Sequence, residues 1–297
     1  MAGSRISARE FIDSVLDEGS FVSWDTTPPV DVGADATYRA ELDRAAERSG
    51  VDESVITGAG TVHGRPIAII ACEFAFLAGS IGVAASERIV SAIERATTEG
   101  VPPCSRPPTS GGTRMQEGTL AFVQMVKIAA AVAAHKAAHL GYLVYLRNPT
   151  TGGVFASWGG SLGHITAAEP GALVGFLGPR VYQALYHEEF PKGVQTAENL
   201  SAKGVIDGVA PLETVRRLVH RTLRVLVEPS SPDEGAEQAV TDIDEVPDVP
   251  AWQSVILSRR PERPGIRQLL RHAASAQVPL SGTGQGETDK TVLLSLA

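Results

Sequence analysis

The segment Ser110-Gly111-Gly112-Thr113-Arg114-Met115-Gln116-Glu117-Gly118 decides the fold together with a second glycine turn, Pro149-Thr150-Thr151-Gly152-Gly153-Val154. Each segment places a pair of glycines just before a run that is compatible with a helix. Glycine lets a ligand approach the backbone closely, and the first turn of a helix has N–H groups without intrahelical acceptors. The two turns therefore predict a site in which main-chain N–H groups stabilise negative charge on an oxygen, without a side-chain nucleophile.

Composition limits the function classes that the chain can belong to. Its 297 residues are 43% hydrophobic and 20% charged, which is typical of a soluble globular protein with a substantial core. The net charge of −8 comes from the acidic residues of 228–248, so the rest of the chain is near neutral. A near-neutral folded part argues against a broad nucleic-acid-binding face.

Cysteine content and hydropathy predict the compartment. Cys72 and Cys104 are the only cysteines and cannot form a disulfide framework, which predicts a reducing cytoplasm. No uninterrupted apolar run approaches ~18 residues, and no N-terminal stretch combines basic residues with an apolar core. We therefore expect neither a membrane span nor a secretion signal.

Strand–turn–helix units repeat along the chain without a dinucleotide-binding fingerprint. Helices are predicted over 7–17, 38–48, 84–97, 115–139, 180–186, 196–203 and 212–227. Strands are predicted over 21–24, 54–60, 66–73, 142–146, 165–168, 173–176 and 206–209, with a hairpin turn at His63-Gly64. Four prolines in 101–109 indicate that any strand there is short or lies at a sheet edge.

The sequence predicts a division of the chain into four parts. An N-terminal helical segment covers 1–50, and the main domain covers 51–228. A proline-rich acidic linker follows over 229–250, and a partial helical extension closes the chain over 251–297.

Five motifs in one order resemble the carboxyltransferase β half of acetyl-CoA carboxylase, of the fused actinobacterial acyl-CoA carboxylase type. They lie at 76–82, 110–118, 148–153, 168–180 and 195–198. The resemblance implies a crotonase-like α/β fold, a spiral of ββα units. It also implies that 251–297 is the start of a truncated α-type half.

The resemblance further implies a reaction and a set of site residues. Acyl-CoA would receive a carboxyl group from carboxybiotin to form malonyl-CoA or a homologue for fatty acid synthesis. Gly152 and Gly153 would be backbone oxyanion donors, and Gly111 and Gly112 would supply a further donor. The remaining predicted substrate-binding residues are Gly79, Ser80, Gly82, Arg114 and Arg180. The two arginines would bind CoA phosphate or make subunit contacts, or else would be solvated or form structural ion pairs.

Cofactor and partners follow from the same resemblance. Biotin would be carried on a biotin carboxyl carrier protein, and the chain would work with an α-type carboxyltransferase subunit and a biotin carboxylase in a hetero-oligomer. A zinc ribbon with four thiolate ligands is excluded before the main domain, because 1–53 contains no cysteine. Ala78 stands where the family usually has glycine, and alanine is tolerable at that position only if its φ is negative.

Several alternatives stay open. The same motifs suit a biotin-dependent decarboxylase or another crotonase-like acyl-CoA enzyme, and the cut-off α-type half suits a catalytically silent scaffold subunit. Ser161 within 159–163 matches G-x-S-x-G, with Asp207 and His220 following in hydrolase order. The next residues favour a strand where that motif requires a helix, which argues against a hydrolase. His135 and His139 have metal-ligand spacing, but Lys136 occupies the position of the required glutamate base.

Overall fold

The computed structural model describes residues 6–26, 35–105, 109–227, 248–274, 276–281, 286–289 and 291–297. The helices are α1 Ala8–Val15, α2 Ala36–Ser49, α3 Val83–Thr98, α4 Gly118–Ala137, α5 Pro179–Tyr186, α6 Ala197–Ala202, α7 Leu212–Val227, α8 Ala251–Ser258 and α9 Ile266–Ala273. The strands are β1 Val22–Ser23, β2 Val55–Val62, β3 Arg65–Cys72, β4 Pro103–Ser105, β5 Leu143–Leu146, β6 Thr150–Thr151, β7 Ile165–Ala168, β8 Val174–Gly175, β9 Gly208–Val209, β10 Val278–Leu280 and β11 Leu294–Leu296.

A seven-stranded sheet forms the centre of the fold, in the order β1-β2-β3-β4-β5-β7-β9. The first three strands are antiparallel, and β2 and β3 form the predicted hairpin around His63-Gly64. From β3 to β9 each neighbouring pair is parallel, which requires crossover segments such as α3 between β3 and β4 and α4 between β4 and β5. The sheet therefore has the mixed α/β arrangement that the sequence predicts.

Strand β4 lies in 101–109, where the prolines predict a strand that is short or at a sheet edge. It has only three residues, in agreement with the prolines around it, but it pairs with β3 on one side and β5 on the other. It is thus central and not at an edge. Pro103 is its first residue, a position where a missing N–H disturbs the ladder least.

The N-terminal helix α1 is part of the same fold. Ser7 and Glu10 form the predicted capping box. The N–H of Ala8 donates to Glu73 Oε2 at 2.8 Å, and Arg147 donates to the Ile6 carbonyl at 2.9 Å. These contacts and the buried side chain of Phe11 join α1 to the ends of β3 and β5.

Chain contacts divide the protein into two compact units. One unit comprises Met1–His220 with Pro279–Leu294 and holds the large sheet and every turn discussed below. The other comprises Arg221–Val278 with Ser295–Ala297, and it contains α8 and α9. The four-part division proposed from the sequence stays a prediction, and most of its linker lies outside the described residues.

Helix α4 differs from the expectation that no segment is apolar enough to span a membrane. Together with the 3₁₀ turn before it, Met115–Ala137 has the length and hydropathy for a span, and a third of its most apolar window is buried. The buried side chains lie on one face, which packs against α3: Ala121, Met125, Ile128, Ala131, Val132 and His135. One face of α4 is therefore core, as in many soluble proteins, while its opposite face carries exposed apolar side chains.

Candidate functional site

The two glycine turns lie against each other. A Cβ atom built on Gly152 would be 3.2 Å from the Cα of Gly112, so the two backbones are in direct contact. Both glycines have left-handed φ angles, +107° and +70° for Gly112 and Gly152 respectively. Hydrogen bonds from Ser110 N to Pro149 O (2.8 Å) and from Thr151 N to Ser110 O (3.0 Å) hold the turns together.

A third turn, within 76–82, joins them. Leu77, Ala78 and Gly79 have successive φ angles of 43°, 55° and 63°, a short left-handed stretch. The carbonyl of Ala78 accepts from Gly111 N at 2.9 Å, and the carbonyl of Gly79 accepts from Ser110 Oγ at 2.6 Å. Ala78 thus does not have the negative φ that alanine prefers, and its contacts with the neighbouring turn hold it in the left-handed conformation. Such strain commonly marks functional sites.

Gly153 is distinct among the four predicted oxyanion donors. The other three already donate within the chain: Gly111 to Ala78 O, Gly112 to Ser110 Oγ (3.1 Å) and Gly152 to Phe176 O (3.0 Å). The N–H of Gly153 has no acceptor among the described residues, and Gly153 is only half-buried. The geometry thus favours Gly153 as the donor available to a ligand, and the roles of all four glycines stay predictions.

Ala78 adds a donor that the sequence reasoning missed. Its N–H has no acceptor in the part of the chain that the structure describes, and the residue is exposed at the turn that contacts Gly111. The motif at 76–82 indicates this turn, but the prediction from the sequence named Gly79, Ser80 and Gly82 and not Ala78. Gly79 is instead buried, and a Cβ there would collide with the Thr109 carbonyl.

Arg114 lies behind the turns and not at an open surface. Its side chain is 1% exposed and forms an ion pair with Glu53 and another with Glu117, the latter at 3.4 Å. It also donates to the Ser80 carbonyl at 2.8 Å. Burial lowers the pKa of the guanidinium, but the bonds to Glu53 outweigh it, so the pKa is above its usual value. This position does not fit CoA phosphate binding by Arg114; it fits the structural ion pair that the sequence left open.

The same buried cluster includes two other residues that the sequence predicted to bind substrate, Ser80 and Gly82. Ser80 meets Arg114 through its carbonyl and its hydroxyl, and a Cβ on Gly82 would collide with Glu117. Glu117 also accepts from Tyr38 Oη at 2.5 Å and from Val83 N at 2.6 Å. Burial is the main cause that raises the pKa of Tyr38, and the bond to Glu117 adds to it. The cluster ties α2, β2, α3 and α4 together beneath the turns.

Arg180 is at the start of α5, but its side chain lies outside the described residues, so its predicted role stays a prediction. The same helix borders a cavity of about 350 Å³. Its lining residues include Leu173, Pro179, Gln183, Lys192, Gln195 and Thr196.

The hydrolase hypothesis gains no support from the structure. Ser161 Oγ donates to the Ala156 carbonyl at 2.9 Å, the Asp207 carboxylate accepts from Thr166 N at 2.8 Å, and His220 lies against His63. The three side chains thus contact different parts of the chain.

The metal hypothesis for the histidine pair is equally unsupported. His135 is fully buried whereas His139 is exposed. Within the described ranges, no group of three or more His, Cys, Asp or Glu residues could hold a metal ion.

Known proteins share the sequence and the fold of this chain. The family model described as "Carboxyl transferase domain" matches residues 2–293. The probable biotin-dependent acyl-coenzyme A carboxylase beta3 subunit of Mycobacterium tuberculosis is 59% identical over 294 residues, which cover 99% of this chain and 58% of that protein. The acetyl-coenzyme A carboxylase carboxyl transferase subunit beta of Opitutus terrae is 42% identical over 231 residues, 76% of this chain and 79% of that protein. The chain thus spans little more than half of its mycobacterial relative.

Solved structures show the same fold. The transcarboxylase 12S core with hydrolysed methylmalonyl-coenzyme A bound has a TM-score of 0.61 and is 24% identical; the match covers 74% of this chain and 41% of that chain. The Pseudomonas malonate decarboxylase MdcD–MdcE heterodimer has a TM-score of 0.56 at 24% identity, with 72% and 84% covered. The predicted crotonase-like α/β fold is confirmed.

Proposed function

Since this chain belongs to the carboxyl transferase domain family, we propose that it is the acyl-CoA-binding β component of a biotin-dependent carboxyltransferase. The single observation that carries the proposal is the pair of unbonded N–H groups at Gly153 and Ala78, on turns that contact each other through 110–112. Unbonded, rigidly held N–H groups suit an oxygen that gains negative charge.

The acyl thioester oxygen is the acceptor that these N–H groups would bind. Removing a proton from the carbon next to a thioester makes an enolate, whose charge resides largely on that oxygen. The donors would hold the oxygen before and during proton loss, and their geometry is maintained by the Gly112–Gly152 contact. Carboxybiotin, carried on a partner protein, would supply the carboxyl group as CO₂, and the ureido anion of biotin left behind would accept the α proton.

The substrate and partners belong to the same proposal. Acetyl-CoA, giving malonyl-CoA for fatty acid synthesis, is supported by the 42% identity to the Opitutus terrae subunit, while the mycobacterial relative is described only as an acyl-coenzyme A carboxylase subunit. The proposed partners are an α-type carboxyltransferase chain, a biotin carboxyl carrier protein and a biotin carboxylase, and the proposed compartment is the cytoplasm.

A reconstituted assay tests the proposal. The chain is incubated with carboxylated carrier protein and acetyl-CoA or propionyl-CoA, first alone and then with an α-type chain, and carboxylated CoA product is measured by mass spectrometry. We expect product only in the mixture. In parallel, acyl-CoA binding to the chain is measured by calorimetry.

Each other outcome has a defined meaning. Binding of acyl-CoA with loss of carboxyl from malonyl-CoA but no carboxylation would identify a decarboxylase instead. Absence of acyl-CoA binding, with no product in the mixture, would leave the scaffold alternative and overturn the proposal.

A further inference from the structure

Gln195 connects the loop before α6 to the short strand β8. Its backbone carbonyl accepts from Val174 N at 3.1 Å, and its side-chain Nε2 donates to the Leu177 carbonyl at 2.7 Å. Between these two bonds, Gly175 faces the amide so closely that a Cβ there would be 2.5 Å from Gln195 Cδ. Gln195 therefore holds both ends of the segment 174–177, the Val174 end through its backbone carbonyl and the Leu177 end through its side chain.

That segment supplies an acceptor for the glycine turn. The carbonyl of Phe176, between the two residues that Gln195 bonds, accepts from Gly152 N at 3.0 Å. Strand β6, immediately before the turn, runs parallel to β8 and pairs Thr151 with Gly175. The Gly153 N–H belongs to the peptide group that follows the one with the Gly152 N–H. Phe176 and Gly175 position that preceding group, so the direction of the Gly153 N–H depends on where these two residues are held.

The other half of the Gln195 amide is unsatisfied. Its Oε1 atom is buried and has no hydrogen-bond partner within the described ranges. An orphaned buried acceptor is unfavourable, and an apolar side chain of similar length would avoid it. The hydrogen bond from Gln195 Nε2 to the Leu177 carbonyl is thus the polar interaction that explains why residue 195 has an amide side chain.

We propose that Gln195 is a positioning residue for the turn at Gly152-Gly153, an inference that rests on the proposed function of that turn. Gln195 acts through Leu177 and Phe176 and does not touch the substrate. The side chain keeps the Phe176 carbonyl in place for Gly152, and the Gly153 N–H then points at the site with little rearrangement.

Two variants separate positioning from packing. Gln195→Met keeps the length of the side chain and loses the donor, and Gln195→Glu replaces the donor by an acceptor that repels the Leu177 carbonyl. Gln183→Met is the matched control. Gln183 and Gln195 both line the cavity beside α5, but Gln183 is exposed and lies on that helix. The chain is studied whole, by amide hydrogen exchange at Gly152, thermal unfolding and acyl-CoA affinity, and in the reconstituted mixture by kcat and KM.

We expect both Gln195 variants to exchange the Gly152 amide at least ~10-fold faster and to lower kcat about 10- to 100-fold, with KM and acyl-CoA affinity within about twofold. The control should match the wild type. Wild-type exchange and kcat in Gln195→Met would overturn the inference, as would a parallel loss of stability, affinity and kcat, which indicates packing alone. If the wild-type mixture transfers no carboxyl group, the proposed function fails, while the exchange rates still decide whether Gln195 holds the turn.

Discussion

At the scale of single residues, Gly153 combines two properties that are not found together in Gly111, Gly112 or Gly152. Its N–H has no acceptor in the described part of the chain, and its φ is not left-handed. A Cβ there would meet only Thr113 Cγ2 at 3.5 Å and Met125 Cγ at 3.6 Å, which is ordinary contact. Gly152 is different, since its φ of +70° makes any side chain strained. A substitution at 153 therefore tests chemistry, and one at 152 tests folding as well.

We expect Gly153→Val to fold and to lower carboxyl transfer about 10²- to 10³-fold, the loss of one oxyanion donor, or roughly 2.7–4 kcal/mol. The valine methyl groups would occupy the space beside the N–H. Activity is measured in the reconstituted mixture. Gly208→Val is the control, because a Cβ at Gly208 meets nothing within 4 Å.

Near-normal turnover in a folded Gly153→Val variant would remove this turn from the mechanism. Ser161→Ala should leave activity within a few fold, since the Ser161 hydroxyl donates to the nearby carbonyls of Ala156 and Ser157. A complete loss in that variant would revive the hydrolase hypothesis.

His135 gives stability a pH dependence. Burial lowers its pKa to about 4, the carbonyl of Gly141 opposes that shift, and His164 adds to it. Its Nδ1 lies 2.8 Å from Thr97 Oγ1, while Nε2 is buried without a partner in the described segments. The folded state therefore favours neutral His135, and the unfolded chain takes up the proton first as the pH falls below about 6.5.

The free energy of unfolding should decrease by an amount on the order of 2 kcal/mol between pH 7.5 and pH 5 because of His135 alone. Urea denaturation at both pH values measures it. In His135→Leu this part of the decrease should vanish, while His139→Asn, at an exposed position, should behave like the wild type. An identical pH dependence in His135→Leu and the wild type would contradict the assignment.

At the scale of elements, the buried cluster around Arg114 holds α2, β2 and α4 beneath the turns. Glu53→Gln should destabilise the fold by about 3–5 kcal/mol, because it leaves the guanidinium buried with a weakened partner. The control is Glu99→Gln, which breaks the exposed Arg95–Glu99 pair and should change stability by less than about 1 kcal/mol. Chemical denaturation of both variants makes the comparison, and equal effects would contradict a structural role for the cluster.

Local signals explain which elements the sequence could predict. The capping box at Ser7, the left-handed cap at Gly50 and the hairpin turn at His63-Gly64 depend on residues within a few positions of one another. The predicted helix over 212–227 agrees with α7 at both ends. The order of the motifs in turn predicted the family and the fold.

Long-range contacts explain what the sequence could not show. Two partners of Arg114, Glu53 and Ser54, lie 61 and 60 positions earlier, so the residues near Arg114 in the chain did not reveal its buried ion pair with Glu53. The left-handed φ of Ala78 and the central position of β4 likewise arise from neighbours that pack only in the folded chain. Whether each glycine N–H is occupied or open depends on carbonyls such as Phe176 O, which sequence spacing does not reveal.

At the scale of the whole molecule, the outer face of α4 is an exposed apolar surface. Leu120, Phe122, Val123 and Val126 are 55–69% exposed. Surfaces of this kind promote association. Val126→Lys should reduce self-association of the chain in sedimentation velocity, while the free energy of unfolding stays within about 0.5 kcal/mol.

Glu47→Gln is the control for the outer face of α4, because it changes the net charge by the same amount at an exposed position on α2. Equal self-association of Val126→Lys, Glu47→Gln and the wild type would show that this face does not mediate contact between copies. Loss of stability in Val126→Lys would show that Val126 belongs to the core.

The docking of α1 has a consequence for the order of events during synthesis. Its contacts are with Glu73 and Arg147, so the helix is made long before the second partner exists. At about 5–20 residues per second, Arg147 follows Ala8 by about 7–28 s. During that interval the apolar side of α1, including Phe11 and Ile12, has no finished surface to cover it. Helix α1 is thus made well before one of its partners, and during that interval its apolar side is open to chaperone capture or aggregation.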